Sequence, residues 1–414
     1  MSLRESTSSP TAPARIGRSD PAFWRITGPL FVGGLATFAV LYSVQPLMPV
    51  FAREFAVSPA IASLALSATT GVLAVAMIAA GTLSEVWGRK RIMVVSLAAS
   101  SLATMLTALA PNWPVLLALR ALAGLALSGL PAVAMAYLGD EMDSQALGLA
   151  MGLYIAGSTL GGMSGRIAVA ALSDLAGWRW AIAAAGAVGL VGAALIAAGL
   201  PRGREASRRG ASPGLRDLAG TISRHLAEPG LRLLFAEGFL LMGAFVCAYN
   251  YTGFRLAEPP FSLSQTMIGL VFVLYLAGAV SSTVMGDLAG RYGRRRVLWI
   301  AIAIELAGII ATLPNSLPLV VVGIGLITWG FFGAHSIASS WVGLRTQTAR
   351  AQASALYLFF YYLGSSVVGS SGGVFFQRLG WPGVAGLLAA LTACALLIAL
   401  RLSKVPPPAH LRAR

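Results

Sequence analysis

The sequence predicts an all-α integral membrane protein: twelve transmembrane helices in two six-helix bundles, related by a pseudo-twofold axis along the membrane normal. Three observations carry this. Of the 414 residues, 57% are hydrophobic and 11% charged, against roughly a quarter charged in an average soluble domain. Twelve mostly apolar runs are long enough to cross a hydrocarbon core about 30 Å thick, which takes about 20 helical residues. An eleven-residue pattern also occurs twice, half a chain apart.

In chain order, residues 1–27 form an N-terminal tail rich in Ser, Pro and Arg. It lacks an apolar stretch followed by a small-residue cleavage site, so no cleaved signal peptide is expected, and Glu5 and Asp20 count against an organelle transit peptide. Residues 28–200 form the N-terminal bundle, with spans at 28–52, 59–82, 91–111, 114–138, 145–168 and 179–200. The longest polar segment, 201–229, divides the spans six and six and reads as a cytoplasmic linker, with a solvated basic cluster at Arg202, Arg204, Arg208 and Arg209. Residues 230–402 form the C-terminal bundle, with spans at 231–254, 266–288, 296–314, 317–342, 351–375 and 382–402, and 403–414 form a cytoplasmic tail. Gly and Pro recur inside the spans, as helices in lipid tolerate.

Twelve spans put both termini on one side, and the distribution of basic residues selects the cytoplasmic side. Of the 30 Lys and Arg, Arg53, Arg166, Arg179, Arg255 and Arg378 lie on or near outer ends and Arg120 lies inside a span; the others fall on inner segments. The net charge of +15 is therefore a topology signal facing anionic lipid headgroups, and nucleic acid is not an expected partner. Cys247 and Cys394 sit in apolar runs with no second thiol or histidine at ligand spacing, so neither a disulfide nor a metal site is expected. No G-x-x-x-x-G-K-S/T phosphate loop, H-E-x-x-H or C-x-x-C occurs, and His225, His335 and His410 are the only histidines. ATP-driven transport, an enzyme and a bound cofactor are all disfavoured.

The repeat lies at the joint between spans two and three of each half. Gly81–Arg91 (GTLSEVWGRKR) is matched by Gly286–Arg296 (GDLAGRYGRRR), displaced by 205 residues. A weaker echo pairs Gln145, Tyr154, Gly157 and Ser158 with Gln352, Tyr361, Gly364 and Ser365, displaced by 207. Gly88 and Gly293 suit a tight chain reversal at positive φ, and Gly81 and Gly286 a close helix approach. The basic groups that follow, Arg89 and Lys90 in the first copy and Arg294 in the second, are expected to stay in water and reach neighbouring helix ends.

These residues resemble the signature of the major facilitator superfamily, G-x-L-a-D-r-x-G-r-K/R-K/R. The first copy has Glu85 at the acidic position and Val86 in place of the following arginine; the second keeps Arg291 but has Gly290 at the acidic position. The resemblance implies a loop that holds the outward-facing state through contacts between the halves, with Glu85, Arg89 and Asp287 in that gate. It extends along nearly the whole chain. Arg120–Gly124 matches R-x-x-x-G, and Gly157–Gly162 is similar to the G-P-x-x-G-G run of proton-coupled exporters, with Ser158 at the proline and Gly157, Gly161 and Gly162 kept for close packing. Leu41–Pro46, Leu234–Gly243 and Ala334–Trp341 resemble the YnfM-type branch of bacterial inner-membrane transport proteins, close to the drug:proton antiporters.

An ionisable residue in a span is costly unless it faces a cavity or a partner. In the resembled family, helices one, four, seven and ten line the cavity. Arg120, with Tyr42 and Gln45 at similar depth, either binds an anionic group, repels a proton from a carboxylic acid, or bonds helix carbonyls. Glu237 and His335 lie at matching depths and are expected to share one inner-side site, with Glu237 the better proton carrier. Glu305, in a peripheral span, either turns inward to bond a neighbouring span or stays protonated. Asn250, Tyr251, Tyr357, Tyr361 and Tyr362 offer aromatic faces and hydrogen bonds suited to a ligand pocket.

The resemblance implies a monomeric secondary active transporter of the bacterial inner membrane, exporting a small organic molecule by alternating access against proton entry. Proton-linked uptake of a sugar or metabolite is the alternative within transport. A membrane-embedded enzyme or a non-transporting sensor is the alternative outside it.

Overall fold

A computed structural model describes residues 15–201, 203, 215–346 and 349–406, apart from the side chains at 81, 82, 85, 132, 144, 215–219, 351 and 403. The expected cluster at Arg202, Arg204, Arg208 and Arg209 lies outside the described residues, as does most of each tail, and so do the side chains at the Gly81 and Glu85 positions.

The first half comprises α1 (Ala22–Tyr42), α2 (Met48–Glu54), α3 (Pro59–Trp87), α4 (Arg89–Thr107), α5 (Trp113–Leu127), α6 (Pro131–Glu141), α7 (Ser144–Ala176) and α8 (Trp178–Gly199). The second comprises α9 (Leu215–Ala227), α10 (Pro229–Ala257), α11 (Gln265–Leu270), a 3-10 turn at Val271–Leu274, α12 (Tyr275–Tyr292), α13 (Arg294–Ala311), α14 (Leu317–Arg345) and α15 (Arg350–Lys404). Eight candidate spans are long and apolar enough to cross a membrane by length and composition, one of them the double-length run in α15. The other passes are α4 and α13, each opening on three basic residues, and the α5–α6 pair.

Several predicted bounds are corrected. The first pass starts at Ala22 rather than 28 and breaks between Tyr42 and Met48, where Pro46 lacks the N–H a continuous helix needs. The fourth breaks before Pro131 for the same reason. The fifth runs to Ala176 rather than 168, which changes the depth of every residue near its end. Spans eleven and twelve join in one run whose only non-helical residue is Gly380, at φ 63° and ψ −153°, a conformation open to glycine. Gly88 and Gly293 end α3 and α12 at φ 86° and 90°.

Several N-termini satisfy their free N–H groups locally. Ser58, Asn112 and Ser264 accept from the third residue beyond, and Asp143 accepts from Gln145 and Ala146. Ile16 donates to the Glu141 carbonyl and accepts from the Asp143 N–H, pinning the N-terminal strand to the joint of α6 and α7.

The same helix pairs pack in both halves: first on fifth and sixth, second on fourth, third on fourth and sixth. The first-on-fifth seam depends on missing side chains. A Cβ at Gly157 or Gly161 would come 2.3 or 2.0 Å from the Phe31 or Leu35 carbonyl oxygen, and one at Gly364 would come 2.1 Å from that of Phe239. Large apolar residues such as Val75, Leu122, Val191 and Leu397 remain exposed on the outside, as a lipid-facing surface requires.

Between described residues, the hydrogen bonds joining the bundles all lie toward one end, opposite the Gly88 and Gly293 turns. Ser366 and Ser370 of α15 bond Ser67 of α3, Thr266 of α11 bonds Asp174 of α7, and Gln45 bonds Asn250 of α10. At the turn end the ion pairs among the described residues stay within a bundle: Arg89–Asp140 at 2.7 Å, Asp287–Arg291 at 2.9 Å and Glu228–Arg345 at 2.6 Å.

Candidate functional site

The break between α1 and α2 places Gln45 where the bundles meet. Its amide donates to the Asn250 Oδ1 at 2.8 Å, and its Oε1 accepts from the Arg166 Nε at 2.6 Å. Asn250 in turn donates to the Gly369 carbonyl of α15. Gln45 and Asn250 are 205 residues apart, the displacement of the signature repeat, so equivalent positions of the two halves bond each other across the pseudo-twofold axis.

Arg166 is the main residue that the sequence reading misplaced. A span ending at 168 sets it at a membrane surface; α7 continues ten residues beyond it, to Ala176, and the side chain is 1% exposed. Its guanidinium carbon lies 3.9 Å from the Tyr42 ring centroid, 4.9 Å from Phe272 and 4.8 Å from Tyr275. The signal was available in the apolar run Ile167–Leu172, which carries the helical pattern past the charge.

Arg120 goes elsewhere. It is fully buried inside the first bundle, with Nε donating to the Ala65 carbonyl of α3, NH1 to the Thr104 hydroxyl of α4 and NH2 to the Leu41 carbonyl of α1. Of the readings open to it, bonding helix carbonyls is the one this geometry matches. Tyr251 likewise turns to α15, donating to the Gly369 and Ser370 carbonyls, with its ring clustered with those of Phe254 and Phe376.

Turnward of the Gln45 bridge, the second bundle supplies a continuous aromatic surface. His335 of α14 shares a 2.9 Å hydrogen bond with the Tyr357 hydroxyl and stands 4.7 Å from the Tyr361 ring, which is edge-on to Tyr362. Phe331 stacks on Phe245 at 4.0 Å and lies beside His335. Tyr42 and Tyr154 of the first bundle are within electrostatic range of Tyr362. Tyr249, which the sequence did not single out, bonds Thr328 and stacks on Phe272.

Glu237 and Glu305 are both fully buried, and none of their four carboxyl oxygens has a hydrogen-bond partner among the described residues. Glu237 is within electrostatic range of Glu305 and of Tyr357. The Tyr357 hydroxyl bonds His335, and its ring packs on Gly238, the residue after Glu237. Glu305 sits at the α13–α14 contact, where Gly330 leaves room for its Cβ. Beyond Gln45, toward the far end, a gap of about 10 Å³ lined by Pro46, Tyr249 and Phe272 offers at most the room of a single water.

A bundle of duplicated halves with buried ionisable groups at its centre defines a polytopic membrane carrier. The family model for the Major Facilitator Superfamily matches residues 30–257 and 240–414, and this chain belongs to that superfamily of transporters. It is 44% identical over 388 residues to the uncharacterized MFS-type transporter YybF of Bacillus subtilis, covering 94% of this chain and 95% of the relative. It is equally 44% identical over 389 residues to the inner membrane transport protein YnfM of Escherichia coli, covering 94% and 93%. Among solved structures, the nucleoside transporter NupG superposes with a TM-score of 0.76 at 15% identity, covering 91% of this chain and 99% of that one. An inward-facing bacterial homologue of the human lysosomal transporter Spinster gives 0.71 at 16%, covering 93% and 95%. At such identities these two structures establish the fold alone. The relatives are named as transporters rather than as enzymes.

Proposed function

We propose that this chain is a proton-coupled exporter of small organic molecules, working by alternating access in the bacterial inner membrane as a monomer with both termini cytoplasmic. The observation that carries the coupling is Glu237: a carboxyl fully buried, with no cation or hydrogen-bond donor on either oxygen among the described residues, in the bundle that supplies the central aromatic surface. A carboxyl in that setting is stable only with a proton on it. Giving the proton up requires a change of surroundings, which is what a conformational cycle supplies.

With the turns on the cytoplasmic side, bundles whose hydrogen bonds among the described residues join them at the far end fit the inward-facing member of the cycle. Substrate then meets Tyr42, Gln45, Asn250, His335, Tyr357 and Tyr361 from the cytoplasm. Closing the turn end would bring Arg89 and Asp287 of the repeated loops toward the opposite half. Residues 28–200 and 230–402 act as the two rocking units, joined by 201–229.

Purified protein in proteoliposomes, given an imposed pH gradient and a panel of solutes, tests this reading. We expect Glu237→Gln to abolish pH-driven flux while leaving counterflow exchange. An unchanged pH dependence removes Glu237 as the carrier, and movement of no solute by folded protein removes the reading as a whole.

A further inference from the structure

The charge on Arg166 has no counter-charge. It is 1% exposed, among the described residues it forms no ion pair, and its hydrogen-bond partners, the Gln45 and Gly162 carbonyl oxygens, each at 2.6 Å, are neutral. Buried charges in a membrane protein normally pair with one another or mark the path of a solute. The buried carboxyls do not serve here: Glu237 and Glu305 belong to the second bundle, and neither forms an ion pair with Arg166. Three ring faces, Tyr42, Phe272 and Tyr275, surround the guanidinium instead. Aromatic faces hold a cation weakly and leave its N–H groups free to be captured by an anion. The charge is also confined to one half. Displaced by the 207 residues of the weaker repeat, the equivalent position is Gly373, which packs on Ala60.

We propose that Arg166 is the anion-binding subsite of the central site, and that the transported molecule is a carboxylate with a flat apolar body. Its carboxylate replaces the Gln45 oxygen on the guanidinium, and its body lies on the Tyr42, Tyr361 and His335 rings. Loss of the Gln45 bond to Arg166 then frees the residue that ties the bundles together through Asn250, so substrate binding loosens the closed end. This assignment rests on the exporter reading and adds the substrate class to it.

Benzoate, benzamide and benzylamine, alike in shape and different in charge, are the probes. Binding to the detergent-purified full chain is read by thermal-unfolding shift. Benzoate is expected to raise the unfolding temperature, the other two to leave it unchanged. Arg166→Gln should weaken benzoate by at least tenfold and Arg166→Lys by less, whereas Gln45→Leu, which removes the competing oxygen, should tighten it several-fold. No shift with benzoate, or an equal shift in Arg166→Gln, overturns the proposal. Unchanged or weaker benzoate binding by Gln45→Leu overturns it also if Arg166→Gln does not fold. In proteoliposomes, flux of benzylamine or benzamide without benzoate overturns the anion assignment and leaves export standing. Arg166-dependent benzoate binding with no flux of any probe supports the subsite and counts against the transport reading alone.

Discussion

Arg120 and Arg166 show how little a residue's identity says about its task in a membrane. Both are fully buried arginines of the first bundle. Arg120 spends its donors on three different helices of its own bundle, whereas Arg166 reaches across to the second bundle. A lysine has one ammonium on a flexible stem and cannot match the guanidinium fork against three separated acceptors. Arg120→Lys should therefore lower stability by about 1–3 kcal/mol, the scale of hydrogen bonds to a charged group, and leave the dependence on solute unchanged. Thermal unfolding beside a flux assay separates the two. The sequence made Arg120 conspicuous and set Arg166 at an outer end, because depths came from span ends; a shift of eight residues at the end of α7 was enough to move the central cation from surface to core. Glu237 and His335 were legible because ionisable groups in apolar runs stand out. The hydrogen bond between His335 and Tyr357 was not, since a contact between helices α14 and α15 leaves no spacing signal.

At the level of single helices, the apolar runs gave the passes, but breaks within a run do not alter its hydropathy. That is why the α1–α2 interruption, which positions Gln45, was not foreseen. The start of α10 offers a test of local electrostatics outside the membrane. Glu228 caps this helix, accepting from the Leu231 N–H, and pairs with Arg345 at the end of α14. Burial alone would raise its carboxyl, but the hydrogen bonds from Arg345 and Leu231 prevail and hold it below the usual carboxylate range. The Arg345 guanidinium also lies against Gly230, where a Cβ would meet its Cζ at 2.2 Å. A carboxyl depressed in the folded state contributes stability in full above its unfolded pKa of about 4.3 and loses it as pH falls through the lower folded value. Unfolding temperature should thus stay level from pH 7 to about 5 with respect to this group and drop below about 4. Glu228→Gln should be less stable at neutral pH and show a shallower acid limb.

For the whole molecule, the twelve passes and the duplicated halves were readable from hydropathy and the repeat, because both leave long, regular signatures. Which end of the bundles is joined was not readable, since it is a property of one state and not of the sequence. The joined end makes a prediction. Ser370 Oγ lies 2.7 Å from Ser67 Oγ across the α3–α15 contact. Paired Ser67→Cys and Ser370→Cys substitutions should cross-link on oxidation, arrest transport, and release it on reduction, as gel mobility and flux would report. Free cross-linking without arrest would mean that these helices never part.

The Gln45–Asn250 bond has one more consequence. In a duplicated protein, two residues related by the repeat displacement and touching at the axis descend from one residue that once faced its own copy. A symmetric dimer of half-length chains demands a side chain complementary to itself at that point. A carboxylate or an ammonium would repel its twin, while an amide carries both donor and acceptor and satisfies itself. The amides at 45 and 250 are what such an ancestor would have needed. Their neighbours differ, Arg166 on one side and Gly373 on the other, so a contact between matching amides has one charged and one uncharged face.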